Sequence, residues 1–303
     1  MTLTPASAWT GPSEDPVDEQ FGDAITPTSV SDAEAFDAVL VGEPYDGAVI
    51  SRGGAAEAPA ALRSELAALK THLFDRGPLQ SIADLGDITI PEGSTRTVQD
   101  TLQETTETIH ALDVLPVFLG GDNSVTYPNV TPLLDGGSVA VLSFDAHLDC
   151  RTVQAQPTSG TPYRQLFADG LATLQVLGAR HFETSTDYHD YLDEQGGGAT
   201  TAHRVARHPN AAVEAILEDV AADTVYVSVD VDVLDAAAAP GVSAPTPGGV
   251  PTHALFEAVR TAAADDRVAG LEVVECAPPL DEGGRTVAAA ARVVAHLLGG
   301  ALP

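Results

Sequence analysis

The stretch SFDAHLDCR places Asp145, His147 and Asp149 at every second position after an apolar run, 139–144, that suits a strand buried in a parallel sheet. In an extended chain such positions point the same way, so three ionisable groups would crowd one face of a strand end. Two carboxylates there repel each other unless something positive sits between them. VYVSVDVDVLD repeats the arrangement with Asp230 and Asp232. FLGGDNS closes a third apolar run, where Gly120 and Gly121 let the backbone turn before Asp122, Asn123 and Ser124, and GLEVVEC closes a fourth at Glu275. One acid at a strand end is ordinary capping of the next helix, and DAHLD alone suits capping plus a loop histidine as well as it suits a metal. A second strand ending in a same-face acid pair tips the balance to metal. Four carboxylates with one imidazole suit hard or borderline divalent ions such as Mn²⁺. The lack of cysteine ligands argues against a structural zinc site. With shared carboxylates, two ions about 3.5–4 Å apart could activate one bridging water.

Composition narrows the setting. The 303 residues carry 44 acids against 14 Lys plus Arg, a formal charge of −30, and Lys70 is the one lysine. Such a surface repels nucleic acid and acidic membranes. Hydrophobic content of 44% argues for a folded core, not disorder. The balance suits a protein working in high salt, where self-repulsion is screened, and is similar to the acidic, lysine-poor proteins of salt-loving microbes. No run approaches a membrane span, and no basic region followed by an apolar stretch opens the chain, so a cytoplasmic enzyme is expected. Cys150 and Cys276 make no disulfide framework and read as small buried hydrophobes, with a redox or gating role as the alternative.

These residues need a frame. Residues 1–35 are rich in Pro, Ser, Thr and acids and read as a flexible arm or an edge covering, leaving 36–303 as a single catalytic domain. Strands are expected at 37–41, 82–85, 115–119, 139–144, 174–177, 224–229 and 270–274, and helices at 59–73, 95–112, 210–220, 253–264 and 285–298. Repeated β–α units imply an α/β fold with a parallel sheet wrapped by helices, although a closed eight-stranded barrel fits the same pattern. Both put function at the carboxyl ends of strands.

The segments GEPYDGAVISRGGAAEAPAALR, GGDNS, SFDAHLDCR, SGTPYRQL, SVDVDVLDAAAAPGVSAPTPGG and GLEVVE together resemble the ureohydrolase family of arginases, agmatinases and formimidoylglutamases, from about residue 41 to 298. The resemblance implies a three-layer αβα sandwich around a mainly parallel eight-stranded sheet, two Mn²⁺ ions per chain, and a homo-oligomer, trimer or hexamer. It implies that Asp145 and Asp230 bridge both ions, that Asp149 completes the site of metal A, and that His147 and Asp232 complete that of metal B. A bridging hydroxide would then attack an amidine-type carbon. Asp149 would carry a proton to the leaving nitrogen and Glu275 would pair with the substrate's cationic nitrogens.

Two departures from the family pattern stand out. Asn123 replaces the histidine that usually completes metal A; its amide either ligates or bonds to a water that does, so that ion is expected to bind more weakly than metal B, and the alternative is that Asn123 only orders the Gly-Gly turn. Ser159 replaces the histidine that precedes the family's loop glycine, and Arg151 follows DAHLD where arginases carry asparagine. Both features resemble the formimidoylglutamase branch, which releases L-glutamate and formamide in histidine degradation. An arginine fork suits one of that substrate's two carboxylates. Arg164 and Arg180 are further candidates for the second, against the plainer role of ion pairs. Agmatine lacks a carboxylate, so an agmatinase or another guanidino hydrolase ranks second. A non-catalytic binding protein on the same scaffold ranks behind both.

Overall fold

The computed structural model describes residues 3–15 and 17–303. In chain order the strands are β1 (Leu3–Thr4), β2 (Thr26–Pro27), β3 (Ala38–Gly42), β4 (His72–Leu73), β5 (Gly77–Pro78), β6 (Ile82–Ile88), β7 (Leu115–Leu119), β8 (Val139–Phe144), β9 (Thr173–Ala179), β10 (Gly198–Thr201), β11 (Thr224–Asp230) and β12 (Val268–Val274). The α-helices are α1 (Phe21–Ala24), α2 (Ala58–Ala68), α3 (Thr95–His110), α4 (Thr126–Val130), α5 (Pro162–Ala168), α6 (Thr186–Glu194), α7 (Ala202–Arg207), α8 (Pro209–Asp219), α9 (Thr252–Ala263) and α10 (Arg285–Ala301).

Eight strands lie parallel in the order β6-β3-β7-β12-β11-β8-β9-β10. The sheet is open, with β10 at one edge, which excludes the closed barrel. At the other edge β1 pairs antiparallel and β2 parallel with β6. There the indole of Trp9 donates to Asp84 Oδ2 at 2.8 Å, and the Arg63 guanidinium bridges Asp84 and Asp87.

Strand residues alternate between two cores, as a pleat requires. Val225, Val227 and Val229 face one layer with α2, α7, α8, α9 and α10, while Tyr226 faces the other with α3, α4, α5 and α6. Burial on both faces is why these strands read as unbroken apolar runs. Cys276 belongs to the first core and Cys150 to the second, so the sheet separates the two thiols.

Helix α2 stops at Ala68, earlier than the expected 59–73. The N-terminal segment captures the chain beyond it: Phe21 N–H donates to Leu69 O at 3.0 Å and Thr71 N–H to Glu19 O at 2.8 Å. Those bonds hold 69–71 extended, against its local helical pattern.

Candidate metal centre and active site

Three parallel strands end in the same local device. Asp122 Oδ1 after β7 accepts the N–H of Ser124 at 3.0 Å, Asp145 Oδ1 after β8 that of His147 at 2.6 Å, and Asp230 Oδ1 at the end of β11 that of Asp232 at 2.8 Å. Aspartate competes for backbone donors in this way and turns the chain. The extended face expected from the spacing is therefore not what gathers these groups. Strand β8 ends at Phe144, and Asp232 lies in a 3₁₀ turn, Val231–Val233, so the side chains converge through turns.

Two triads result. Ligand atoms of Asp145, His147 and Asp232 lie within 4.8 Å of one another, as do those of Asp145, Asp149 and Asp230. Asp145 is common to both. His147 Nδ1 lies 3.0 Å from Asp232 Oδ2 and 3.5 Å from Asp145 Oδ1, and its Nε2 faces Glu183. Asp145, Asp230 and Asp232 are buried; Asp149 and His147 are half-buried at the pocket floor.

Burial, with the Asp232 charge next, pushes Asp145 up to about 6. Burial followed by the neighbouring carboxylates raises Asp149 and Asp230 well above the usual range. Burial lowers the pKa of His147, but Asp232 and Asp145 outweigh it and lift the imidazole to about 12. In return, His147 overcomes the burial of Asp232 and holds that carboxyl below its ordinary value. The cluster is thus short of positive charge.

The strand-end loops are stitched together behind it. Glu275 N–H donates to Gly121 O at 2.8 Å, and Glu275 Oε1 accepts the N–H of Asn123 at 2.9 Å. Gly121 is obligatory, since a Cβ there would fall 1.7 Å from Tyr45 O. Asp149 and Glu275 both adopt positive φ, 43° and 63°, a region costing about 1–3 kcal/mol for residues with a Cβ. Such strain is tolerated where the surroundings dictate the position of a side chain.

Asn123 approaches the acids through its amide: Nδ2 lies 2.6 Å from Asp149 Oδ2, and Oδ1 lies 2.6 Å from the Thr126 hydroxyl. Arg151 and Ser159 line the pocket with Glu275 and four of the five triad residues. Ser159 is pinned by its N–H to Ala48 O at 2.9 Å, and Arg151 by its N–H to Gly160 O at 2.8 Å, leaving the Arg151 guanidinium near the Tyr188 ring. Arg164 and Arg180 lie elsewhere. Arg164 stacks 3.3 Å from the Tyr191 ring centroid and donates from Nε to Cys150 O. Arg180 is buried with its fork on the carbonyls of Thr246, Asp232 and Leu234, so it holds the loop after β11 in place. Asp235 closes that loop by accepting the N–H of Ala237, Gly248 and Gly249.

Sequence reasoning missed Ile50, Ser51, Ser243 and Ala244 in the pocket wall. They are neutral residues whose types announce no chemistry, although they fall inside the VISRGG and APGVSAP segments.

A family model described as "Arginase family" matches residues 36–299. The formimidoylglutamase of Halobacterium salinarum is 55% identical over 302 residues, covering 98% of both chains. The crystal structure of formimidoylglutamase from Bacillus subtilis superposes with a TM-score of 0.88 at 31% identity, over 95% of this chain and 93% of that one. A Trypanosoma cruzi formiminoglutamase structure with Mn²⁺ gives a TM-score of 0.81 at 26% identity, over 88% of this chain and 94% of that one.

Proposed function

Since the chain belongs to the arginase family, we propose that it hydrolyses N-formimidoyl-L-glutamate to L-glutamate and formamide at a centre built for two Mn²⁺ ions. The carrying observation is the pair of acid triads sharing Asp145 beneath a pocket whose wall holds Arg151 and Ser159.

The residues fit divalent cations. Asp145 Oδ2 is buried without a hydrogen-bond partner, and the crowded acids are pushed toward protonation. A cation meets both demands, and four carboxylates with one imidazole suit Mn²⁺. Asp145 and Asp230 would be shared between the ions, with Asp149 and Asn123 on one side and His147 and Asp232 on the other. When bound, the ions supply an activated water at neutral pH and offset developing negative charge.

The chain's own groups do the rest. Glu275 is held rigid by the Asn123 N–H and takes the amidinium N–H groups of the substrate on its free oxygen. Asp149 would take up the proton that the attacking water gives up and pass it to the departing α-nitrogen as the C–N bond breaks. The Arg151 fork takes one carboxylate, and Ser159, tied to the 48–50 segment, shapes the adjoining wall. An arginine here disfavours agmatine, whose tail is cationic.

No helix among the described residues is long and apolar enough to cross a membrane. The charge of −30 and the Halobacterium relative support a salt-adapted enzyme, which we assign to the cytoplasm as a homo-oligomer. Turnover of formimidoyl-L-glutamate, agmatine and L-arginine by the Mn²⁺-loaded protein in concentrated KCl tests the reading. Glutamate and formamide from the first substrate alone support it. Urea from either of the others sinks the substrate assignment and leaves the metal centre standing.

A further inference from the structure

The Thr126 hydroxyl sits 2.6 Å from Asn123 Oδ1 and 2.6 Å from Glu272 Oε1. It owns one proton and faces two acceptors. Glu272 is fully buried in mid-β12, and its other oxygen, Oε2, accepts Asn129 Nδ2 at 2.9 Å and Tyr226 OH at 2.8 Å. Asn129 spends its second N–H on Glu43 Oε2 at 2.9 Å. Oε1 of Glu272 is thus the end that reaches for the Thr126 proton. When that proton goes to Glu272, the hydroxyl oxygen is left as an acceptor, and only the NH₂ end of the Asn123 amide can satisfy it. That arrangement turns the Asn123 carbonyl oxygen toward Asp149 and the site. Without a cation it would set two oxygens against each other, and the amide instead presents Nδ2 to Asp149.

We infer that Thr126, backed by Glu272, is a positioning device that lets the Asn123 amide turn its oxygen to the weaker metal position, to meet the cation or the cation's water. The inference rests on the two-metal reading and says how a neutral amide serves where the family pattern has imidazole. Thr126 and Glu272 touch neither substrate nor the reacting atoms.

Manganese titration without substrate, by calorimetry and electron paramagnetic resonance, reads it directly. Asn123→Ala, Thr126→Val and Glu272→Gln should each weaken the second ion by about 10- to 100-fold and leave the first unchanged. Glu272→Gln acts through orientation: the two donors at Oε2 fix its amide oxygen there, so its NH₂ faces Thr126 and sends the hydroxyl proton back to Asn123. Thr126→Ser, which keeps the hydroxyl, should bind both ions as wild type does. Melting of each metal-free variant checks the fold, and if Thr126→Val fails to fold, the other two decide. Wild-type affinity for the second ion in any folded variant of the three overturns the inference, as does loss in Thr126→Ser. A wild type that takes one ion overturns it together with the two-metal reading. Failure of formimidoylglutamate as substrate would leave the titration outcome untouched.

Discussion

His147 Nδ1 stands 3.0 Å from Asp232 Oδ2, so the end of β8 meets the end of β11 through an imidazole and a carboxylate. This contact is a placeholder of opposite charge. A cation that displaces the imidazole proton would inherit both ligands, so binding must release protons.

Affinity for Mn²⁺ should therefore fall as pH drops through about 6, the value to which Asp145 is raised. A protonated carboxyl must lose its proton before it can ligate. Calorimetric titrations at pH 5, 6, 7 and 8 in two buffers of different ionisation enthalpy would measure the affinity and the protons released. Equal affinity across that range would contradict the shared-carboxylate arrangement.

The metal-free protein should lose stability as pH rises. Asp145 moves from an ordinary 3.8 to about 6 on folding and His147 from 6.5 to about 12, so the folded state holds more protons at both groups. Stability then declines from about pH 4 to 6 through Asp145, and again above 6.5, where the unfolded imidazole would be neutral. Melting curves with and without Mn²⁺ check this; the loaded protein should show a flatter or reversed slope.

Asp145→Asn removes the group common to both triads. Retention of both ions would refute the sharing. The expected result is loss of tight binding at both positions, at least about 100-fold, because an amide is neutral and cannot serve two cations. The same change should raise the melting temperature of the metal-free protein, since it deletes a buried charge that its neighbours repel.

Asn123→His should tighten the weaker ion by about 10-fold or more, imidazole being the stronger ligand for such metals. Competition titration against a chelator would show whether the first-lost ion is the one affected. An unchanged first-lost ion would mean Asn123 contributes nothing there.

Arg151→Gln should raise KM for formimidoyl-L-glutamate by about 10- to 100-fold with little change in kcat, the cost of one charge-assisted bond. Arg164→Gln should leave KM unchanged, because that side chain is committed to Tyr191 and Cys150. A KM effect at Arg164 equal to that at Arg151 would remove the distinction.

Much of the fold was legible because its central strands are buried on both faces. The spans expected at 115–119 and 139–144 are those of β7 and β8, apolar runs that a turn or a polar residue ends sharply. The edges were not: β10 is GATT, half-exposed and short, and α5 hides in SGTPYRQL, which reads as a loop. Among the candidate site residues, type and spacing marked the acids and His147, while their geometry came from Asx turns that the spacing does not reveal. The Thr126–Glu272–Asn129–Glu43 network escaped notice altogether. It depends on which face of β12 meets which turn of α4, a long-range fact that no local pattern contains.

The strand order has a consequence for how the protein comes into being. Strand β12 is the last of the sheet to leave the ribosome, yet it lies between β7 and β11, with Glu275 at its end. A nascent chain that has already made DAHLD and DVD therefore keeps a gap in mid-sheet until nearly all of it is synthesised. Contacts so distant in sequence form slowly. The gap parts β7, whose end carries Asn123, from the paired β11 and β8, whose ends carry both triads. Truncation before β12, at residue 267, should leave β7 with Asn123 unjoined to the β11-β8 half that carries both triads.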